Sequence, residues 1–196
     1  MPFFAHFRQH EGHLFRLDTR IYLGDSDKPS DRDTCIAAIV AKNPGSAKPI
    51  QLDRLTRLSL DEDKLLPYVR NQFLAAYERS RSLVPSGAFI RVWNLLYICN
   101  PNLRDAITTF DSIREPLICD TERAVPRVVW FAWGPPNPQL KRFMSRFIGR
   151  DVECSFYYDI DTGKVVTSKP TLTSKVKHTQ GLPAEPIEKY LSCIFG

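Results

Sequence analysis

The chain has 196 residues, 43% hydrophobic, 11% aromatic and 25% charged, a balance that excludes disorder, fibres and coiled coils. At this length one core buries roughly 70% of the unfolded surface, so a single domain over 1–196 is expected. The formal charge of +5 suits a polyanionic partner without naming one, and the lack of any run near ~20 apolar residues or of a secretory leader predicts a cytoplasmic protein with no membrane partner.

In chain order, His6, His10 and His13 come first, spaced four and three apart. That spacing would share a helical face, but Gly12 and the strand-like residues that follow favour a hairpin or frayed terminus over a metal clip. An extended stretch over 14–23 runs into the polar loop GDSDKPSDRD. Residues 35–41, β-branched at Ile36, Ile39 and Val40 and followed by Pro44 and Gly45, read as a buried central strand. Leu66, Val69, Phe73 and Tyr77 fall at helical spacing behind Asp61, Glu62 and Asp63, acids suited to a helix amino terminus. A second apolar strand covers 88–93 and ends at Asn94-Leu95-Leu96, and a third covers 128–132 and ends at Trp133-Gly134. Then Leu140, Phe143, Met144, Phe147 and Ile148 form one helical stripe, opened by prolines and closed by Gly149. Residues 154–158 suggest a fourth strand. The alternation predicts an α/β fold with a mostly parallel sheet. An extended segment (1–34) precedes the core (35–183), and a tail (184–196) follows it.

The five cysteines, 35, 99, 119, 154 and 193, have no C-x-x-C or other ligand spacing. They are read as reduced thiols, with no metal expected.

In parallel sheets ligands sit at the carboxyl ends of strands. The first strand exits into Lys42-Asn43-Pro44-Gly45, either a structural Asx–Pro–Gly turn or an amide held to orient water. Asn94 offers one acceptor and two donors, enough to read a base edge or to cap a loop. His178, in Lys177-His178-Thr179-Gln180-Gly181-Leu182, is either structural or functional. Residues 123–150 carry six basic residues and no acid, and 163–184 carry Lys164, Lys169, Lys175, Lys177 and His178, again without an acid. Arg142 and Arg146 lie off the apolar stripe. These windows read either as a solvated basic face or as a phosphate-binding surface.

The order of these blocks resembles the uracil-DNA glycosylase superfamily, closest to a bacterial and phage family with N-P-S-T-A, N-L-F, W-G and H-P-L motifs. Lys42-Asn43-Pro44-Gly45-Ser46-Ala47 is similar to its water-activating loop, Arg91-Val92-Trp93-Asn94 to its base-reading segment, 128–134 to its W-G strand, and His178-Thr179-Gln180-Gly181-Leu182 to its last motif. The chain departs from the pattern at Ala41-Lys42 and Thr179-Gln180.

The resemblance implies a single-domain, three-layer α/β/α fold with a central, mostly parallel four-stranded sheet. It implies a monomeric, monofunctional DNA N-glycosylase that flips a base out of DNA and needs no cofactor. Asn43 would orient water toward C1′, with Lys42, Pro44 and Gly45 lining the substrate. Asn94 would bond the base edge, Tyr97 would stack on it, and His178 would stabilise charge on the departing base. Arg142, Arg146, Lys175 and Lys177 would hold DNA, and Leu182 would fill the vacated stack. Gly45 stands where uracil-specific enzymes carry a gating tyrosine, so a C5-modified pyrimidine is the expected substrate, in repair or in defence against phage with modified DNA. Lys42 contacts phosphate or solvent, or forms a Schiff base with an abasic sugar. The alternatives are a non-catalytic nucleic-acid-binding or interaction module and a hydrolase of free nucleosides.

Overall fold

The computed structural model describes residues 2–25, 28–44, 50–60 and 63–196. The strands are β1 (Phe3–His10), β2 (His13–Tyr22), β3 (Thr34–Ala41), β4 (Leu55–Arg57), β5 (Ala88–Asn94), β6 (Val128–Phe131), β7 (Cys154–Asp159) and β8 (Lys164–Val166). The helices are α1 (Leu65–Ser80), α2 (Leu103–Ser112), α3 (Lys141–Ile148) and α4 (Ala184–Phe195). All eight strands join one sheet in the order β4-β1-β2-β5-β3-β6-β7-β8. The expectation of four strands is therefore corrected to eight. Its parallel part, β5-β3-β6-β7, comprises the four expected strands. The flanking strands pair antiparallel, which makes the whole sheet mixed.

Alternation along the strands divides the core into two faces. Ala37, Ile39 and Ala41 of β3 pack with Leu66, Val69 and Phe73 of α1 and with Ile187 and Leu191 of α4. Ala38 and Val40 point the other way, toward Ala106 and Ile107 of α2 and Phe143, Met144 and Phe147 of α3. Two helices on each face make three layers. The central strands are buried on both sides, which is why they read as continuous apolar runs.

The histidine-bearing amino terminus is a hairpin, with His10 opposite His13 and Glu11-Gly12 at its tip, both at positive φ. The extended segment is thus two long strands of the sheet. Its half-buried strands mix Arg and Asp with Phe and Leu, which blurs the alternation. The tail is corrected as well: residues 184–195 form α4, packed against α1 with Phe195 beside Phe73 and Tyr77. Helix α2 escaped the sequence reading because it buries only Ala106 and Ile107.

Asp61 and Glu62 lie outside the described residues. Asp63 does what the acids before α1 were expected to do, since its Oδ1 accepts from the backbone N–H groups of Leu65 and Leu66 at 3.0 and 3.1 Å.

Candidate functional site

The carboxyl ends of β5, β3 and β6 are level with one another. Ala41 is the Cα partner of Asn94, and the Ala132 N–H donates to the Val40 carbonyl at 2.9 Å. Beyond the strands, the Leu95 and Leu96 N–H groups donate to the carbonyls of Ala41 and Lys42 at 3.0 and 3.1 Å. The segment after Asn94 is therefore laced to the segment carrying Lys42 and Asn43.

The late loop is brought to the same place from two sides. Val176 bridges to Asp159, and the Lys177 N–H donates to the Tyr158 carbonyl at 2.8 Å. On the other side the Tyr68 hydroxyl of α1 donates to the Leu182 carbonyl at 3.3 Å. His178 lies between these two attachments. Gly134, at φ +92°, leaves β6 beside it: a Cβ there would sit 3.3 Å from Lys42 Nζ and 3.9 Å from His178 Cβ. A side chain at position 134 would be strained by the backbone and crowded by Lys42. The structure thus sets Lys42, Gly134 and His178 beside one another, residues separated by up to 136 positions in the chain, with Asn43 next to Lys42 in the chain and Asn94 at the same strand end.

Asn94 is the most unusual member. It is 1% exposed, and among the described residues neither its Oδ1 nor its Nδ2 has a hydrogen-bond partner. A buried amide left unpaired costs about 1–3 kcal/mol per group, and few native polar groups stay in that state. Its alternation with Ile90 and Val92 puts it on the face covered by α1 and α4. The cost is explicable if a ligand supplies the missing donor and acceptor.

His178 and Lys42 affect each other's charge. Burial pushes the His178 imidazole below its usual pKa of 6.5, and the neighbouring Lys42 ammonium pushes it the same way. The ring is therefore neutral at pH 7. Its Nδ1 accepts from the Gln180 N–H at 3.2 Å, so the proton of the neutral ring is on Nε2. Burial also lowers the Lys42 amine from its ordinary 10.5. Among the described residues no carboxylate pairs with it.

Asn43 donates from Nδ2 to the Asn100 carbonyl at 2.7 Å and to the Pro44 carbonyl at 3.2 Å. Its amide is thereby oriented, with the nitrogen tied to the chain after β5 and Oδ1 the acceptor. Pro44 is buried. Gly45 lies outside the described residues.

Other expected site residues are placed in different roles. Tyr97 is 1% exposed, and its hydroxyl donates to Glu122 Oε1 at 2.6 Å. Burial and the adjacent carboxylate push its pKa well up. No ring face is open to a base, so the stacking role is withdrawn. Leu182 belongs to the core with Leu66 and Ile187; it is not an exposed wedge.

In three dimensions the first basic window loses most of its free charge, and the second loses that of Lys175. Arg142 pairs with Asp111 and lies over the Phe143 ring at 4.6 Å. Arg146 and Arg150 both hold Glu122, at 3.0 and 2.8 Å. Arg127 pairs with Glu153, and Lys175 with Asp161. Arg142, Arg146 and Lys175 are thus corrected from free DNA-facing cations to ion-paired ones. The partners come from outside each window, so an acid-free stretch of sequence did not mean an acid-free surface. Lys177 is half-buried and has no ion pair among the described residues.

Two residues absent from the expected site lie at its edge. The buried Trp133, whose indole Nε1 has no partner among the described residues, immediately precedes Gly134. Arg16 of β2 is buried, with Nη1 3.5 Å from Asp63 Oδ2 and its N–H on the Tyr97 carbonyl. The first was signalled by an aromatic at a strand end. The second had no signal, because nothing local marks an arginine for burial.

Two surface cavities lie elsewhere. One of about 260 Å³ is lined by Asp33, Gly87 and Ala88 at the amino ends of β3 and β5. The other, about 320 Å³, is bordered by His6, Asp18 and Arg20 on the hairpin side. Among the described residues no group of three or more His, Cys, Asp or Glu side chains is arranged to hold a metal, and no helix is long and apolar enough to cross a membrane. No protein-family model matches the chain, and neither curated proteins nor solved structures give a match.

Proposed function

We propose that the protein is a DNA glycosylase of the uracil-DNA glycosylase kind, hydrolysing the N-glycosidic bond of a flipped pyrimidine. The observation that carries this reading is the buried amide of Asn94, without a partner among the described residues, at the same strand end as a neutral histidine and an oriented asparagine. A pyrimidine edge presents adjacent donor and acceptor atoms, the complement that a primary amide lacks here. Reaching Asn94 requires the chain that covers it to part, so base entry is coupled to a local opening.

The roles follow from the protonation states. An amide is too weak a base to deprotonate water usefully, so Asn43 orients a water through Oδ1 and leaves the work to leaving-group stabilisation. As the C1′–N bond breaks, negative charge gathers on the base. The Nε2–H of a neutral His178 donates to that charge without first having to gain a proton. Lys42 adds positive potential from the same side. Gly45, in the place of a gating tyrosine, argues for a substrate with a C5 substituent, and so for repair or for defence against modified phage DNA.

One observation favours a second reading. With Arg142, Arg146, Arg150 and Lys175 engaged by protein groups, the grip on a polyanion is weaker than the sequence suggests. A free nucleoside or nucleotide would need less of it. Base release from duplexes carrying uracil, mismatched thymine and hydroxymethyl- or glucosylated cytosine, with the matching monomers alongside, tests both. Release from DNA alone supports the first reading and release from monomers alone the second. DNA binding without release would make the protein a non-catalytic module.

A further inference from the structure

Lys42 differs from the ion-paired cations. Arg142, Arg146, Arg150 and Lys175 each face a carboxylate. Lys42 faces Gly134 and His178 instead: its Nζ and Cε lie 3.3 and 3.5 Å from where a Cβ on Gly134 would be. The absence of a side chain at Gly134 keeps the space in front of the amine clear. Its peptide immediately precedes Asn43, and its carbonyl accepts from the Leu96 N–H. The amine therefore belongs to the strand-end cluster in which the sugar of a flipped nucleotide would have to lie. Burial without a counter-ion among the described residues lowers the Lys42 amine from its ordinary 10.5, so the ammonium gives up its proton more readily, and the uncharged amine so formed is a nucleophile toward carbonyl carbon.

We infer that Lys42 is an aldehyde-reactive amine that forms a Schiff base with C1′ of an abasic deoxyribose, giving the protein a strand-cleaving lyase activity. This rests on the glycosylase reading for the supply of its substrate in DNA. The chemistry needs no oxidant or reductant. In the ring-opened sugar the Lys42 nitrogen adds to the C1′ aldehyde carbon, and loss of one water leaves a protonated imine. Water takes a proton from C2′. The C2′–H electron pair forms the C2′=C3′ double bond, the C3′–O bond breaks, and the downstream strand leaves with a 5′-phosphate. Hydrolysis of the imine returns the amine and consumes the water released at the start.

The test supplies the abasic site ready-made, so that it does not depend on base release. The full-length protein is mixed with a duplex holding one natural abasic deoxyribose and treated with borohydride, which reduces an imine to a stable amine. A duplex with a tetrahydrofuran analogue, which has no aldehyde, is the control. The expected result is a trapped adduct on the natural site alone, mapped by peptide mass spectrometry to Lys42, with loss of the adduct in Lys42→Arg. Absence of an adduct from the wild-type protein overturns the inference, as does an adduct that maps to another amine. The mapping needs only the wild-type protein, so a poorly folding variant does not cloud the result. Base release without trapping leaves the glycosylase reading standing and removes this one; trapping without base release does the reverse.

Discussion

Arg146 of α3 donates from Nη2 to the carbonyls of Asn94 and Leu95, at 2.9 and 3.1 Å, while its Nε holds Glu122 at 3.0 Å. A residue that sequence position assigns to a DNA-facing surface is thus a brace behind the strand end that carries the candidate base-reading amide. Glu122 is 2% exposed and shares its carboxylate between Arg146 and Arg150. Removing one partner of a buried ion pair costs about 3–5 kcal/mol, and the surviving Arg150 softens that here to roughly 2 kcal/mol. Arg146→Ala is expected to lower the urea midpoint accordingly. An unchanged midpoint with weaker DNA binding would restore the surface role.

Asn94 makes the opposite kind of prediction. Because neither amide atom has a partner among the described residues, Asn94→Ala is expected to sacrifice no hydrogen bond and to relieve two desolvated groups. The expected cost in stability is under about 1 kcal/mol, set by lost packing against relieved desolvation. Base release is expected to vanish. Equilibrium unfolding beside a release assay separates the two effects, and a large stability loss would mean that the amide is a structural anchor.

Gly134→Ala should disturb both fold and site. A non-glycine residue at φ +92° costs about 1–3 kcal/mol, and the added methyl would press on the Lys42 amine. A lower melting temperature together with reduced activity is the expected pair. Full stability in the alanine variant would show that the backbone relaxes out of this conformation.

His178 sets a pH dependence whose sign follows from its depressed pKa. The folded value lies below the usual 6.5, so the unfolded chain binds the proton more tightly. Its contribution to stability is therefore present above pH 6.5 and is lost as the pH falls through the folded value. Wild-type protein is expected to lose more stability than His178→Gln between pH 7 and pH 5, by urea titration. Base release should fall over the same acid range, because protonation of Nδ1 removes the acceptor for the Gln180 N–H that fixes the ring's orientation. Identical pH profiles for the two proteins would contradict the neutral assignment.

Leu182→Ala distinguishes a core residue from a wedge. At 6% exposed and packed in the α1–α4 face of the core, Leu182 should cost about 2–5 kcal/mol when truncated. Calorimetry or urea unfolding measures this directly. Unchanged stability with weakened binding to a flipped-base duplex would support the wedge.

Much of the fold was legible because its signals are local. The β3, β5, β6 and β7 strands are sandwiched between helix layers, so each is a short apolar run that needs no partner to be recognised. The stripe of α3 and the spacing in α1 are periodicities of single segments. The antiparallel hairpin, β4, β8 and the short apolar faces of α2 and α4 were harder. Their burial is shared with distant strands or helices, and their sequences mix charge with apolar residues. In the site, Lys42, Asn43 and Asn94 stood out because each ends or follows a predicted strand, and His178 because it lies in a lysine-rich stretch without an acid. The convergence of Lys42 and His178 beside Gly134 follows from strand order, which no local pattern encodes.

The sequence by itself determined an α/β chain with four buried parallel strands, and the polar residues that leave their carboxyl ends. Those follow from hydrophobic period and turn chemistry, properties of neighbours along the chain. Only the tertiary structure decided the fate of the charges and of the apolar candidates. Glu122 took Arg146 and Arg150, Asp111 took Arg142, Asp161 took Lys175, and the core took Tyr97 and Leu182. Coulomb attraction and burial act between residues that are close in space, whatever their separation in sequence. Among the described residues the same principle left Lys42 without a carboxylate and the Asn94 side-chain amide without a partner, and those two groups mark the candidate site.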